Sequence, residues 1–198
     1  MSTTIGATNP NGNTGASSPE LPPFDSLHGL GTPDKPMLYV FTGVPGGMPD
    51  GFPSLIAEEF DAVHVKKDCI KGAAYLLSIG YDVVLERFYN NAKARGQAIR
   101  MAQAGRAALM AVNVSTPFFV AHSRLEESKQ KRIESGSYIR PRFDPTNSRI
   151  LKQMIAEAMP ASVEEGIHYV MNIGGRLGPD PLLNEVDFRL QQLGLLEV

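Results

Sequence analysis

The segment Gly43-Val44-Pro45-Gly46-Gly47-Met48-Pro49-Asp50-Gly51-Phe52-Pro53-Ser54 gathers four glycines just ahead of a serine. Glycine lets a chain turn tightly and brings backbone N–H groups close to a ligand. A loop of this kind, set between a buried strand and a helix, cradles anionic oxygens, with the helix N-terminus behind them. Further along, Lys66, Lys67, Asp68 and Lys71 surround one helix start. The lysines make either an anion site or a solvated edge, and Asp68 is either a general base or an N-cap. Glu86 closes the apolar run Val83-Val84-Leu85, a place suited to Mg²⁺ or an acceptor hydroxyl, or to pairing with Arg87 or Arg95. Arg124 heads a mixed-charge run to Arg132 that reads as an exposed helix. His28, His64, His122 and His168 share no metal-ligand spacing, and Cys69 has no visible base partner for nucleophilic work. Phosphate chemistry is therefore the first expectation.

The elements that would position these residues follow from apolar patterning. Met37-Leu38-Tyr39-Val40-Phe41-Thr42 is a continuous apolar run, as in a strand buried on both faces. Ser54 opens a helical stretch, and Ala62 to Val65 is a second strand. Asp68 to Ile79 is a helix closed by Gly80. Asp82 to Glu86 is a third strand, Ala92 to Ala104 a helix ended by Gly105, and Ala108 to Val114 a fourth strand. Thr116-Pro117 reads as an N-cap followed by proline, opening a helix to about Arg132. Ile133 to Pro145 is irregular. Thr146 to Met159 is a helix, Ile167 to Ile173 a fifth strand and Pro181 to Leu193 a closing helix. Strands alternating with helices predict an α/β domain over 37–198, a parallel sheet of about five strands covered on both faces. In such sheets ligands bind beyond the carboxyl ends of the strands, where the glycine loop lies.

In this order the motifs resemble the small P-loop kinases of the polynucleotide-kinase type, over most of residues 37 to 173. Val40-Phe41-Thr42-Gly43-Val44-Pro45-Gly46 looks like that family's first strand and loop entry. Lys67-Asp68-Cys69-Ile70-Lys71 is similar to its Arg-Asp-Asp-x-Arg motif, with Cys69 in place of the second acid. Val83 to Arg95 is similar to its Val-Val-x-Asp-x-Thr-Asn-x-x-x-x-x-Arg motif, with Glu86 at the acid, Phe88 and Tyr89 at the Thr-Asn pair, and Arg95 kept. Arg124 to Pro141 resembles its mobile lid. The resemblance implies a three-layer α/β/α P-loop kinase-like domain with ATP and Mg²⁺ as cofactors. It also implies that the loop glycines Gly43, Gly46, Gly47 and Gly51, with Ser54, hold the nucleotide. Asp68 would deprotonate an acceptor hydroxyl, Glu86 or Ser54 would help place Mg²⁺, and Lys71 and Arg95 would face the substrate. Arg124, or second Arg132, would steady the transferred phosphoryl group.

One component of that machinery is missing. An active loop reads G-x-x-x-x-G-K-[ST], its lysine reaching the β- and γ-phosphates. With Gly46 and Gly51 as the glycines, Phe52 and Pro53 follow. With Ser54 as the hydroxyl residue, Pro53 stands at the lysine. Pro49 and Pro53 also remove two backbone donors. Loss of one transition-state donor typically costs about 10²–10³ in rate. The expectation is a kinase-like domain with little or no turnover, retaining at most nucleotide, nucleic-acid-end or polyanion binding. The alternatives are a structural or interaction protein, such as a phage virion component, and an active kinase with a non-standard lysine.

Composition is compatible with both. The chain has 198 residues, 42% hydrophobic and 20% charged, with a net charge of −2. It has material for a core and no global basic field for sequence-independent nucleic-acid binding. A single cysteine excludes an internal disulfide. No apolar run reaches the length of a membrane span, so no membrane partner is expected and the localisation reads as cytoplasmic, or virion if phage-encoded. Residues 1–36, rich in Ser, Thr, Asn, Gly and Pro, are expected to be a flexible arm or one that orders on a protein partner. Leu21, Phe24, Leu27 and Leu30 would be its anchors.

Overall fold

The computed structural model describes residues 35–139, 141 and 143–195, without the side chains of Lys67, Asp68 and Cys69. The arm anchors named above lie outside the described residues. The elements are β1 (Met37–Thr42), α1 (Phe52–Glu59), β2 (Val63–Val65), a 3₁₀ helix (Lys67–Gly72), α2 (Ala73–Ser78), β3 (Val83–Phe88) and α3 (Ala92–Ala104). There follow β4 (Ala108–Ser115), α4 (Phe118–Glu134), α5 (Ser148–Glu157), a 3₁₀ turn (Val163–Glu165), β5 (Tyr169–Gly174) and α6 (Pro179–Gln192).

The five strands pair in the order β2-β3-β1-β4-β5, all parallel. The central position of β1 explains its unbroken apolar sequence, since all six residues are buried. Met37, Tyr39 and Phe41 face α1 and α6. Leu38 and Val40 face α2 and α3. A smaller cluster of Val44, Ala121 and Leu151 joins the loop after β1 to α4 and α5 above the carboxyl ends. Asp82 fixes the entry to β1 by accepting from the Met37 N–H at 2.7 Å.

Several boundaries move, each for a local reason. α1 begins at Phe52 because Gly51, at φ 79°, supplies the N-cap and Pro53 suits the first turn. The stretch from Asp68 is a 3₁₀ helix before it becomes α2, and Lys66 rather than Asp68 is its N-cap. Pro117 is the N-cap of α4, because the Thr116 hydroxyl donates to the Gly47 carbonyl at 2.7 Å instead. Asn147 caps α5, accepting from Arg149 and Ile150 N–H groups. Pro160 disfavours helical backbone at the residue before it, and α5 ends at Glu157. The ends of α3 match the expectation: the Asn91 side chain accepts from Ala94 N–H, and Gly105 follows Ala104.

Among the described residues three buried side-chain polar atoms lack a hydrogen-bond partner, and the one on Tyr39 tests this packing. Tyr39 stacks on Phe60 at 6.0 Å, and its hydroxyl is buried without a hydrogen-bond partner. Burial, with the nearby Asp82 charge, raises its pKa far above the phenol range. Tyr39→Phe removes that orphan, so it is expected to stabilise the fold by about 1 kcal/mol. Thermal unfolding should show a midpoint about 2–4 °C higher; a lower midpoint would mean that the hydroxyl is partnered.

Candidate functional site

The loop after β1 is held closed from several sides. Gly43, at φ 145°, donates its N–H to Asn90 Oδ1 at 2.8 Å. The Gly47 N–H closes a turn on the Val44 carbonyl at 2.8 Å. Gly46 sits at φ 74° directly beneath α4. A Cβ there would collide with the Ala121 carbonyl oxygen and lie 2.9 Å from Leu125 Cγ. The loop and α4 are therefore in backbone contact, and Val44 and Leu125 make that contact apolar. Phe52 does not enter the loop; it is fully buried in the core, edge-on to Phe41 at 6.3 Å.

Arg124 binds the same closure together. Its Nη1 donates to the carbonyls of Gly47 at 3.0 Å and Gly175 at 2.8 Å, and its Nη2 to that of Leu177 at 2.8 Å. Burial lowers its pKa from the usual arginine value, against the opposing charges of Glu127 and Asp50. Where a mobile lid arginine was expected, the guanidinium here joins α4, the loop and the β5–α6 connection. Arg132 lies exposed in the last turn of α4.

Arg95, expected as a substrate ligand, stands in this structure as an internal support. It is 1% exposed. Its Nε and Nη2 donate to Glu165 Oε2 and Oε1 at 2.6 and 2.9 Å, and its Nη1 to the carbonyls of Tyr89 and Met159 at 3.1 and 2.9 Å. This guanidinium ties α3 to the segment before β5 and presents almost no surface to a ligand.

Ser54 and Glu86 meet at an imidazole. Ser54 Oγ lies 2.9 Å from His64 Nδ1, which directs the hydroxyl toward β2 and away from the loop. His64 Nε2 lies 3.3 Å from Glu86 Oε2, close enough for an ion pair with a protonated ring but off the line of a hydrogen bond. Glu86 also borders a cavity of about 260 Å³ between the loop, the end of β3 and α4, with Gly46, Asp50, Gly51, Arg87 and Arg124. Lys71 is exposed on the 3₁₀ helix and lines neither this cavity nor the one described next. The Asp68 side chain, the expected base, lies outside the described residues.

No family model matches the chain, and no curated protein matches it. Solved structures do. A protein of Chloroflexus aurantiacus j-10-fl, provisionally assigned as a kinase, is 13% identical and superposes with a TM-score of 0.53 over 80% of this chain and 97% of its own. A fungal RNA kinase is 14% identical, with a TM-score of 0.51 over 82% of this chain and 88% of its own. The chain has a P-loop kinase fold. At this identity the likeness speaks for the architecture alone.

Within that fold the structure offers a loop register that sequence reasoning missed. β1 ends at Thr42, so the loop opens at Gly43. Counting the kinase motif from there sets Met48 at its second glycine, Pro49 at its lysine and Asp50 at its Ser/Thr. This register also lacks the lysine. A second cavity, of about 310 Å³, opens beyond the carboxyl ends of β1, β4 and β5, beneath the end of α5. Its floor is a row of side chains paired strand to strand: Thr42 opposite Asn113, and Asn113 opposite Asn172. Period-two alternation was the only signal, since these residues follow Val40, Ala111 and Val170 by two places on one face of the sheet.

Proposed function

We propose that this chain is a P-loop kinase-fold domain that has given up phosphoryl transfer and keeps the scaffold for binding. The observation that carries this reading is the closure of the loop on α4. Gly46 touches the Ala121 backbone, and the Arg124 cation, which would have to stabilise a transferred phosphoryl group, donates to three main-chain carbonyls instead. The donor set points the same way. ATP with Mg²⁺ requires a lysine beside the phosphates, a hydroxyl for the metal and free loop N–H groups. Here the corresponding positions hold Pro49 and Asp50, and Ser54 is engaged with His64. These residues do not fit the cofactor.

The direct test uses radiolabelled ATP and Mg²⁺ with nucleosides and 5′-hydroxyl oligonucleotides as acceptors. The expected result is transfer indistinguishable from buffer, against turnover of about 1–100 s⁻¹ for working kinases. Acceptor-dependent transfer that Arg124→Ala abolishes would overturn the reading. Calorimetry with ATP and Mg²⁺ is expected to give no heat at micromolar nucleotide.

A further inference from the structure

We infer that the 310 Å³ cavity beneath α5 is a binding site for an uncharged, flat heterocycle of the purine class, recognised through the Asn172 carboxamide. Among the described residues no Asp, Glu, Lys or Arg lines this cavity. An anionic phosphate or carboxylate would therefore enter without a counter-charge, whereas a neutral ring loses little on leaving water. The volume lies at the low end of ligand pockets, which run from about 300 to 1,000 Å³, and suits a base or nucleoside. Val44, Val114, Ile155 and Met159 supply apolar walls.

The floor is built, and it is unusual. Thr42 and Asn113 are 2% and 7% exposed, on a sheet face that is otherwise apolar. Thr42 Oγ1 donates to Asn113 Oδ1 at 2.5 Å, which also accepts from Ala161 N–H at 2.9 Å. Asn113 Nδ2 donates to the Ala161 carbonyl at 3.1 Å and to Asn172 Oδ1 at 2.9 Å. Every polar group of Asn113 is thus satisfied. The last bond fixes which way the Asn172 amide is turned: its oxygen is held by Asn113, and among the described residues no acceptor takes its two Nδ2 hydrogens. A single oriented amide, donating through Nδ2 and able to accept once more through Oδ1, matches the acceptor and donor pair on a purine edge, the pairing by which Asn reads adenine.

The inference does not depend on the loss of phosphoryl transfer, because the cavity meets the closed loop only at Gly43 and Val44 and shares neither Arg124 nor Glu86 with it. Adenosine and adenosine 5′-monophosphate are the probes, titrated against the full chain by saturation-transfer NMR and thermal shift. Adenosine is expected to bind with a dissociation constant between micromolar and millimolar, and the monophosphate no more tightly. Asn172→Ala, at an exposed position where the fold loses only the bond from Asn113 Nδ2, is expected to weaken adenosine by about ten-fold or more, the loss of both bonds of the pairing. Ala158→Trp, filling the cavity from above, should abolish binding. Arg176→Ala, beyond the end of β5 and outside the cavity lining, should leave it unchanged. The proposal fails if adenosine does not bind at millimolar concentration, if neither cavity variant alters binding, or if the monophosphate binds markedly better than the nucleoside.

Discussion

Arg95→Ala is expected to destabilise the protein by about 3 kcal/mol, a large part of the total of about 5–15 kcal/mol that holds a domain of this kind together. The change leaves the Glu165 carboxylate without its bidentate partner and the Tyr89 and Met159 carbonyls without a donor. Breaking a buried pair costs about 3–5 kcal/mol, and the lower value applies because the Glu165 side chain is 26% exposed. Arg95→Lys recovers only part of the loss, since an ammonium cannot reproduce the planar fork. Glu165→Gln, which keeps an acceptor for one N–H, should be milder than either. Urea unfolding measures all three. A midpoint for Arg95→Ala equal to wild type would show that the guanidinium is free, and would return it to the role of substrate ligand.

The second large effect is expected at Gly46. Alanine there must adopt φ near 74° and place its Cβ against the Ala121 carbonyl. The left-handed backbone costs about 1–2 kcal/mol for an L-residue. Overpacking against a rigid backbone typically adds about 1–3 kcal/mol. The sum, about 2–5 kcal/mol, is relieved only by parting α4 from the loop, which strains the Arg124 bonds to Gly47 and Gly175. Gly51→Ala is the matched control: φ is 79°, but nothing lies within 4 Å of the added carbon. It should cost only the backbone component. Thermal unfolding of the pair separates the two contributions, and equal losses at both positions would mean that α4 does not rest on the loop.

The difference between these glycines could not be read from the chain. Both stand in one glycine-rich segment, and only the tertiary contact with α4 distinguishes them. The sheet itself was legible, because β1, buried on two faces, must be apolar at consecutive residues, and α3 carries its own stop signal in Gly105. Side-chain roles set by distant partners were not. Arg95 lies in a motif that resembles a substrate-binding one, while Glu165, which claims it, lies 70 residues on. Thr116 has the sequence of an N-cap and is diverted to Gly47. The Thr42, Asn113 and Asn172 row exists only through strand register, and each residue alone reads as an ordinary strand end.

The reach of the Arg95–Glu165 pair also bears on how the protein is made. Ribosomes add about 5–20 residues per second, so the 70 residues between the partners take roughly 4–14 s to appear. Throughout that interval α3 carries a cation that its own packing would bury, with no carboxylate yet available to it. The nascent chain must therefore keep α3 away from β1 and β3, or tolerate a hydrated arginine at their junction, until β4, α4 and α5 have followed. The slow step of biogenesis should accordingly fall late, at the docking of the 160–165 segment, and a ribosome-bound chain truncated before Glu165 should be more open to protease around α3 than one extended past β5.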